Sequence, residues 1–492
     1  MPKEQGHKQF AKWAREYGPI YSLILGTKVV IVLSKDEVVK DLLDRRSAIY
    51  SSRPDIYLGQ TILSGGLRVL LMPYGDVLRK IHKMAHRILN KKASFTYTPY
   101  QDLESKALLI GMLERPDQFV NHLRRFTTSL TTQMTFGFRI TDESGPTIQR
   151  MSDIFDSFSE LATSQTAALL DVYPILRRLP DVALPMRRLA KELHTRERSL
   201  FINLFQDTKR KLRDGKAKAC LCTDLARIQE EEGLSDAHAG YMCGSLLQAG
   251  SETTSAVLIG FVQAMVIFPH VAKTAQIELD RVCGDRLPTL DDAAALPYIQ
   301  CCIKESLRWM PTAMLGVPHA VTRDDEYMGY QIPKDATIIL NVWAIHTDAQ
   351  RYSNPRQFDP TRWAHDHQSS YQADSNADNI KRDHFTFGAG RRFCQGTHIA
   401  ERSLCLAIAR LLWTFDFGRA RDSKTGHDIV PDMDHLSDGM FTMPQPFRAK
   451  IRPRDDIKAR VIQQEWKQAS EEWLDEDMQW IKLPEGLIWA DV

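Results

Sequence analysis

The chain has 492 residues, and its 64 basic and 62 acidic side chains leave a net charge of +2. A charge this balanced gives no sign of the basic surface typical of nucleic-acid-binding proteins. The 26 Gly and 23 Pro residues are too few for a collagen-like or low-complexity chain. Eight cysteines without a CxxC pair argue against a disulfide framework or a zinc module and favour a reducing compartment.

The predicted elements begin with a short helix over residues 8–17 and two strands over 20–25 and 29–33. A basic helix follows over residues 74–89, and the pattern from about 115 to 310 is almost entirely helical. Short strand patterns return only after residue 315. Long helices with few strands predict a mainly α fold with small β-sheets. We expect one large domain over residues 1–452.

The last segment, residues 453–492, differs in composition, with 5 basic and 10 acidic side chains. Trp466, Trp473 and Trp480 recur every seven residues, which would place them on one face of a helix. We expect an acidic C-terminal extension that docks this face onto the body. A tail that binds a partner is the alternative.

The longest helical pattern runs from a predicted N-cap at Ser235 to Phe268, just before a proline. Its middle carries Ala249-Gly250-Ser251-Glu252-Thr253-Thr254. A glycine there, and a Thr253 hydroxyl bonded to a carbonyl one turn earlier, would loosen the helix locally. Glu252 and Thr253 would supply an acid and an alcohol for a proton relay.

The segment at residues 385–396 is rich in glycine and contains Cys394 just before a predicted helix at about 399–415. Glycines allow the backbone to approach a flat group closely, Phe387 offers an apolar shield, and Arg392 offers a positive charge. The start of a helix favours a thiolate. A thiolate in such a loop suits axial ligation of haem iron.

The pattern Phe387-x-x-Gly390-x-Arg392-x-Cys394-x-Gly396 resembles the haem-binding signature of the cytochrome P450 family, and the resemblance spans about residues 8–452. It implies a cytochrome P450-like single large domain and haem b with Cys394 as the axial iron ligand. It also implies that the oxygen-activation motif lies at Ala249, Glu252 and Thr253. The cofactor-binding residues that it implies in the cysteine loop are Phe387, Gly388, Gly390, Arg392 and Gly396.

Outside that loop, the resemblance implies a buried structural triad of Glu305, Arg308 and Arg362 beneath the cysteine. His319 matches a position that often contacts the haem propionates. The basic helix departs from the family, because Leu78 stands where a tryptophan is usual and His82 where an arginine is usual. His82 can still donate a hydrogen bond, but its charge depends on pH.

The resemblance places the substrate-binding walls in mostly apolar segments, at about 54–72, 155–185, 243–247, 310–317 and 438–442. Such walls favour an apolar small-molecule substrate. The chain shows no dinucleotide fingerprint and no flavin segment, so electrons would come from an NADPH-dependent flavoprotein reductase. Basic residues that could attract an acidic partner are Arg79, Lys80, Lys83, Lys91, Lys92, Arg391 and Arg402. A solvated helix face is the alternative for them.

We therefore expect a haem-thiolate monooxygenase that uses O2, similar to filamentous-fungal members of secondary-metabolite biosynthesis. One alternative is a thiolate-haem isomerase or dehydratase acting on peroxides; another is a haem-binding remnant without turnover. No apolar run of about 18 residues is present, and the usual N-terminal membrane anchor is not recognised. We expect a cytoplasmic protein, with peripheral contact at the endoplasmic reticulum membrane through residues 155–185 as the alternative.

Overall fold

The computed structural model of the chain describes residues 5–142, 145–376, 378 and 382–489. Residues 1–4 of the predicted domain (1–452) and residues 490–492 of the predicted C-terminal extension (453–492) lie outside the described residues. The fold is mainly helical with small sheets, as predicted. The helices are α1 (Gly6–Tyr17), α2 (Asp36–Val39), α3 (Ser47–Tyr50), α4 (Asp76–Leu89), α5 (Lys91–Thr96), α6 (Thr98–Glu114), α7 (Phe119–Phe136), α8 (Pro146–Thr163), α9 (Gln165–Val172), α10 (Pro185–Arg213), α11 (Leu221–Ile228), α12 (Asp236–Ile267), α13 (Pro269–Cys283), α14 (Pro297–Trp309), α15 (Val342–His346), α16 (Ser370–Ser375), α17 (Thr397–Thr414) and α18 (Asp456–Trp473).

The strands form three small sheets. They are β1 (Ile20–Leu25), β2 (Lys28–Leu33), β3 (His319–Ala320), β4 (Asp325–Tyr327), β5 (Tyr330–Ile332), β6 (Thr337–Leu340), β7 (Phe415–Arg421), β8 (Asp428–Ile429) and β9 (Ala449–Pro453). The largest sheet has the order β1-β2-β6-β3. In it, β2 and β6 are parallel and the other pairs are antiparallel. This sheet joins the first residues of the chain to the segment that precedes the cysteine loop.

Helix α12 lies at the centre of the molecule, in contact with α7, α8, α10, α11, α13, α14 and α17. The Ser235 hydroxyl accepts a hydrogen bond from the His238 backbone N–H at 3.2 Å, which is an N-cap. The helix ends at Ile267 because Pro269 begins α13. Its 32 residues give a length of about 48 Å.

Helix α12 is also long and apolar enough to cross a membrane. Of the helices in the described ranges, it alone meets that test, and 83% of its most apolar stretch is buried inside the protein. Its apolar composition is therefore that of a core helix. Elsewhere, in the stretch 155–185, Ile175 and Val182 are 63% and 90% exposed, and membrane contact there stays a prediction.

The C-terminal segment packs against α6 and α7, but not as one helix. Helix α18 ends at Trp473, so the prediction that Trp480 shares a helical face with the two preceding tryptophans is wrong. The chain instead turns back, and the Trp480 and Trp473 rings stack with centroids 5.8 Å apart. Trp480 Nε1 donates to Gln133 Oε1 at 2.6 Å, which ties this turn to α7.

Candidate active site

A cavity of about 350 Å³ lies between α12 and the cysteine loop, residues 385–396. All five segments that were expected to form walls contribute apolar side chains to it. These are Val69 and Leu70, Phe155 and Phe158, Leu246, Ala313 and Val317, and Phe441.

The cysteine loop is closed by hydrogen bonds on both sides of Cys394. Its N–H donates to Phe387 O at 2.8 Å, and its carbonyl accepts from the Thr397 hydroxyl at 2.7 Å. The Cys394 side chain lines the cavity and is accessible only from it, so the thiol is surrounded by protein. Desolvation raises the pKa of this thiol, while the N–H groups of Gly396 and Thr397 act in the opposite direction. A bound cation would favour the thiolate further.

Most of the residues expected at the cofactor line this cavity: Phe387, Gly388, Arg392, Gly396, Ala249, His82 and His319. Gly390 is not among the residues that line it. A Cβ atom at Gly390 would lie 1.9 Å from Leu43 O, and the Gly390 N–H donates to Asp44 Oδ1 at 2.7 Å. Glycine is therefore needed there for packing of the loop against the π-helical segment Lys40–Arg45, where any side chain would clash.

Two arginines, Arg53 buried and Arg392 half-buried, reach the cavity without a carboxylate partner. Arg53 Nη1 donates to the carbonyls of Val317 and Pro318 at 2.6 and 2.8 Å, and Arg392 donates to the carbonyls of Ser51 and Met72. Among the ion pairs of the described residues, neither guanidinium takes part. Desolvation lowers the pKa of Arg392 to about 10, and desolvation together with the Arg392 charge lowers the pKa of Arg53.

Two histidines complete this cluster of basic groups. Desolvation, and then the charges of Arg392 and Arg53, lower the pKa of His82 to about 4. Desolvation and Arg53 also lower the pKa of His319, whose Nδ1 lies 2.8 Å from Tyr50 O. Four basic groups thus share one wall and disfavour each other's charge, and an anion in the cavity would relieve that repulsion. Sequence reasoning missed Arg53, because it lies in an irregular segment with no motif around it.

Helix α12 continues without a break through Gly250 and Thr253, so the predicted local loosening of the helix stays a prediction. The Thr253 hydroxyl donates to Ala249 O, one turn earlier, at 2.6 Å, and Thr253 lines the cavity. At Gly250, a Cβ atom would lie 2.9 Å from the Thr131 hydroxyl of α7. The glycine lets the two helices approach closely beside the cavity.

Glu252 lies next to Thr253 in sequence but does not line the cavity. Consecutive helical residues diverge by about 100°, and Glu252 Oε1 instead accepts from the Ser152 hydroxyl of α8 at 3.3 Å. Its Oε2 has no hydrogen-bond partner among the residues described. Desolvation raises the pKa of Glu252. The positive charge of Arg124 partly offsets this increase, and the negative charge of Asp156 raises the pKa further. The structure therefore brings Thr253, and not Glu252, to the cavity wall.

The structure brings Glu305, Arg308 and Arg362 together behind the cysteine loop. The Glu305 carboxylate accepts from Arg308 Nε and Nη2 at 2.8 and 2.6 Å and from Arg362 Nε at 3.4 Å. Trp363 Nε1 and the Asp359 N–H also donate to it, at 3.0 and 2.9 Å. The side chains of Glu305 and Arg308 are both 0% exposed. Five donors thus satisfy one fully buried carboxylate.

The triad reaches the cysteine loop through His346. The Phe385 N–H donates to His346 Nε2 at 2.8 Å, so the ring proton lies on Nδ1, which donates to Arg308 O at 3.0 Å. The Thr386 hydroxyl donates to Leu307 O at 2.6 Å. Helix α14 therefore holds the first residues of the cysteine loop directly.

Comparison with known proteins gives one family over nearly the whole chain. The family model described as Cytochrome P450 matches residues 1–448. Cytochrome P450 monooxygenase virE of Hypocrea virens is 57% identical over 491 residues, which are 100% of this chain and 89% of that relative. Cytochrome P450 monooxygenase fogE of Aspergillus ruber is 56% identical over 100% of this chain and 91% of its own length. Cytochrome P450 monooxygenase fsoB of Humicola fuscoatra is 45% identical over 99% and 90%.

We predict that Glu305→Gln lowers the free energy of unfolding by about 3–5 kcal/mol, because it leaves buried arginines without their counter-charge. Urea denaturation of the purified protein measures this. The control is Glu471→Gln on α18, whose side chain is 68% exposed and whose loss should cost less than about 0.5 kcal/mol. Equal effects of the two changes would contradict a structural role for Glu305.

Proposed function

The chain belongs to the cytochrome P450 family, and we propose that it is a haem-thiolate monooxygenase that oxidises an apolar small molecule in fungal secondary metabolism. The observation that carries this proposal is that Cys394 and Thr253 line the same apolar cavity from the cysteine loop and from α12. The names of the relatives support the monooxygenase activity.

The residues around the cavity fit haem b. Cys394 would be the thiolate ligand of the iron, and the backbone at Gly388 and Gly396 would leave room for a flat ring. The four basic groups of one wall would hold its two carboxylates, which supply the negative charge that this wall lacks. When bound, haem supplies the redox chemistry by which one oxygen atom of O2 enters the substrate and the other becomes water.

Leu78 and His82 replace the tryptophan and arginine usual in the family, but the basic wall of the cavity would still offer enough hydrogen-bond donors for the haem carboxylates. Leu78 is buried at 1% exposure and is not among the residues that line the cavity. His82 lines it and can donate from a neutral ring, while Arg53 and Arg392 carry the positive charge. The arginines therefore compensate for the missing tryptophan and arginine of the basic helix.

Thr253 and Glu252 would divide the proton relay between two sides of α12. Thr253 presents its hydroxyl oxygen at the cavity wall, where it can accept a hydrogen bond from a water molecule and orient it while its own proton bonds to Ala249 O. Glu252 holds its carboxyl behind that wall, and because burial raises its pKa it keeps a proton to higher pH than a solvated carboxyl does. A change in side-chain rotamer or an intervening water would connect the two.

We predict that Thr253→Ala keeps the haem site but diverts reducing equivalents from product into hydrogen peroxide, because the hydroxyl that directs protons into the cavity is lost. NADPH consumption, product and peroxide are measured together with a reductase present. The control is Thr274→Ala, because the Thr274 hydroxyl also donates to a carbonyl one turn earlier, His270 O at 3.1 Å, but on α13 away from the cavity.

The same measurements on the unaltered protein distinguish a monooxygenase from the two alternatives, an isomerase or dehydratase and a haem-binding remnant. An isomerase or dehydratase would form product from a peroxide without NADPH, and a remnant would consume no NADPH with any substrate. Either result in the unaltered protein would contradict the monooxygenase.

Electrons would enter on the side of the cysteine loop. Exposed cations are concentrated there on α4, on α5 and in the loop: Arg79, Lys80, Lys83, Lys91, Lys92 and Arg391. Of these, Arg79 is paired with an acid, Asp76. Such a surface attracts an acidic flavoprotein reductase and orients it toward Cys394.

We predict that the double change Lys83→Glu and Lys92→Glu raises the KM for the reductase about tenfold at low salt, with a smaller difference at high salt because ions screen the attraction. The rate of NADPH-dependent reduction measures this. The control is Lys334→Glu with Lys424→Glu, two exposed lysines outside this surface. The same KM for the two double variants would contradict docking at α4 and α5.

A further inference from the structure

Two polar side chains on α12 line the cavity without a hydrogen-bond partner. Gln248 is 4% exposed, and its Nε2 has no partner among the described residues. Ser245 Oγ, three residues earlier, is likewise buried and unpaired within that part of the chain. Residues three apart share a helical face, so both groups lie side by side on the cavity wall. Buried polar groups are rarely left unpaired, so these two call for a ligand or water.

The orientation of the Gln248 amide is set by Arg68. Arg68 Nη1 donates to Gln248 Oε1 at 2.7 Å, and because a guanidinium only donates, the amide oxygen must face it. The Nε2 donor is thereby turned away from Arg68. Arg68 is itself held by an ion pair with the buried Glu197 and lies 3.6 Å from the centre of the Phe158 ring. The donor is therefore positioned before any ligand binds.

Other hydroxyls on the cavity wall are already satisfied by the backbone. Those of Thr131, Thr135 and Thr253 donate to carbonyls one turn earlier in their own helices, at 2.7, 2.7 and 2.6 Å. Ser245 could make the same local bond but does not. Among the described residues that line the cavity, Ser245 and Gln248 are the two with a fully buried polar atom that lacks a partner. A few such groups in a largely apolar cavity are how binding sites fix the orientation of a ligand.

We propose that Gln248 Nε2 and Ser245 Oγ form a subsite that hydrogen-bonds an oxygen atom of the substrate, a carbonyl or a hydroxyl. This inference rests on the proposed function and specifies its substrate class: an apolar molecule with a hydrogen-bond-accepting oxygen at one end. Arg68 is a positioning residue, since it acts through the Gln248 amide. Its charge is balanced by Glu197, so the subsite selects a neutral oxygen and not a carboxylate.

The position of the subsite also sets which end of the substrate reacts. Gln248 precedes Thr253 by five residues, which is about 7.5 Å along the helix. The two side chains also leave the helix in directions about 140° apart, so the oxygen held at Gln248 and the carbon placed beside Thr253 belong to well separated parts of the substrate. Oxidation takes place on the apolar part of the molecule, several bonds from the oxygen that anchors it.

The test uses alkyl phenyl ketones of increasing chain length, each paired with the alkylbenzene of the same length, titrated calorimetrically into the haem-loaded protein. The members of a pair differ only in a carbonyl. We expect the ketone to bind roughly tenfold more tightly than its hydrocarbon, because only the carbonyl pairs with the Gln248 donor. Gln248→Glu keeps an oxygen toward Arg68 and removes the donor, so it should abolish the preference.

Ser245→Ala should reduce the preference by a smaller factor. The matched control is Ser255→Ala, on the same helix but outside the cavity, where Ser255 Oγ donates to Glu252 O at 3.0 Å. The absence of any ketone preference in the unaltered protein, or its persistence in Gln248→Glu, would overturn the subsite. The spectrum of the reduced carbon monoxide complex, recorded for every variant, separates this failure from a failure of the haem-thiolate site.

Discussion

The buried carboxylate of Glu305 is the interaction on which the site depends. A charged group without solvent is tolerated only where donors surround it, and here the donors come from α14 and from residues 359–363. Arg308 extends the network to the carbonyls of His346 and Pro355. His346 then holds the Phe385 N–H. A network with so many shared partners fixes where the cysteine loop begins.

The cavity adds a second, opposite electrostatic arrangement. Behind the loop a negative charge is surrounded by donors, whereas on the cavity wall Arg53 and Arg392 are positive and paired only with carbonyls. The charge of Glu305 is balanced by arginines of the protein itself, whereas the charges of Arg53 and Arg392 would be balanced by an anionic ligand in the cavity. This difference distinguishes the part of the molecule that maintains the fold from the part that binds the cofactor.

Features that are set within one helical turn could be predicted from the sequence. The directions of side chains around a helix and the contacts between distant segments were predicted less well. The N-cap at Ser235 and the proline after Phe268 gave the bounds of α12, because both act within one turn. Glu252 and Thr253 are adjacent in the sequence and were predicted to form one proton relay. On the helix their side chains diverge by about 100°, and Thr253 lines the cavity while Glu252 contacts α8. Trp480 follows Trp473 by seven residues, but α18 ends at Trp473, so the spacing no longer indicates a shared helical face. Arg53 and Arg68 carry no local pattern, since their roles come from segments far away in the chain.

The central claim is that Cys394 provides the thiolate ligand in this cavity. The most direct measurement is the absorbance spectrum of the reduced protein with carbon monoxide, for the unaltered chain, for Cys394→Ala and for Cys283→Ala, a buried cysteine of α13. We expect the red-shifted thiolate-carbonyl band in the unaltered protein and in Cys283→Ala, and its loss in Cys394→Ala. A band that persists in Cys394→Ala, or is absent from the unaltered protein, would contradict the account.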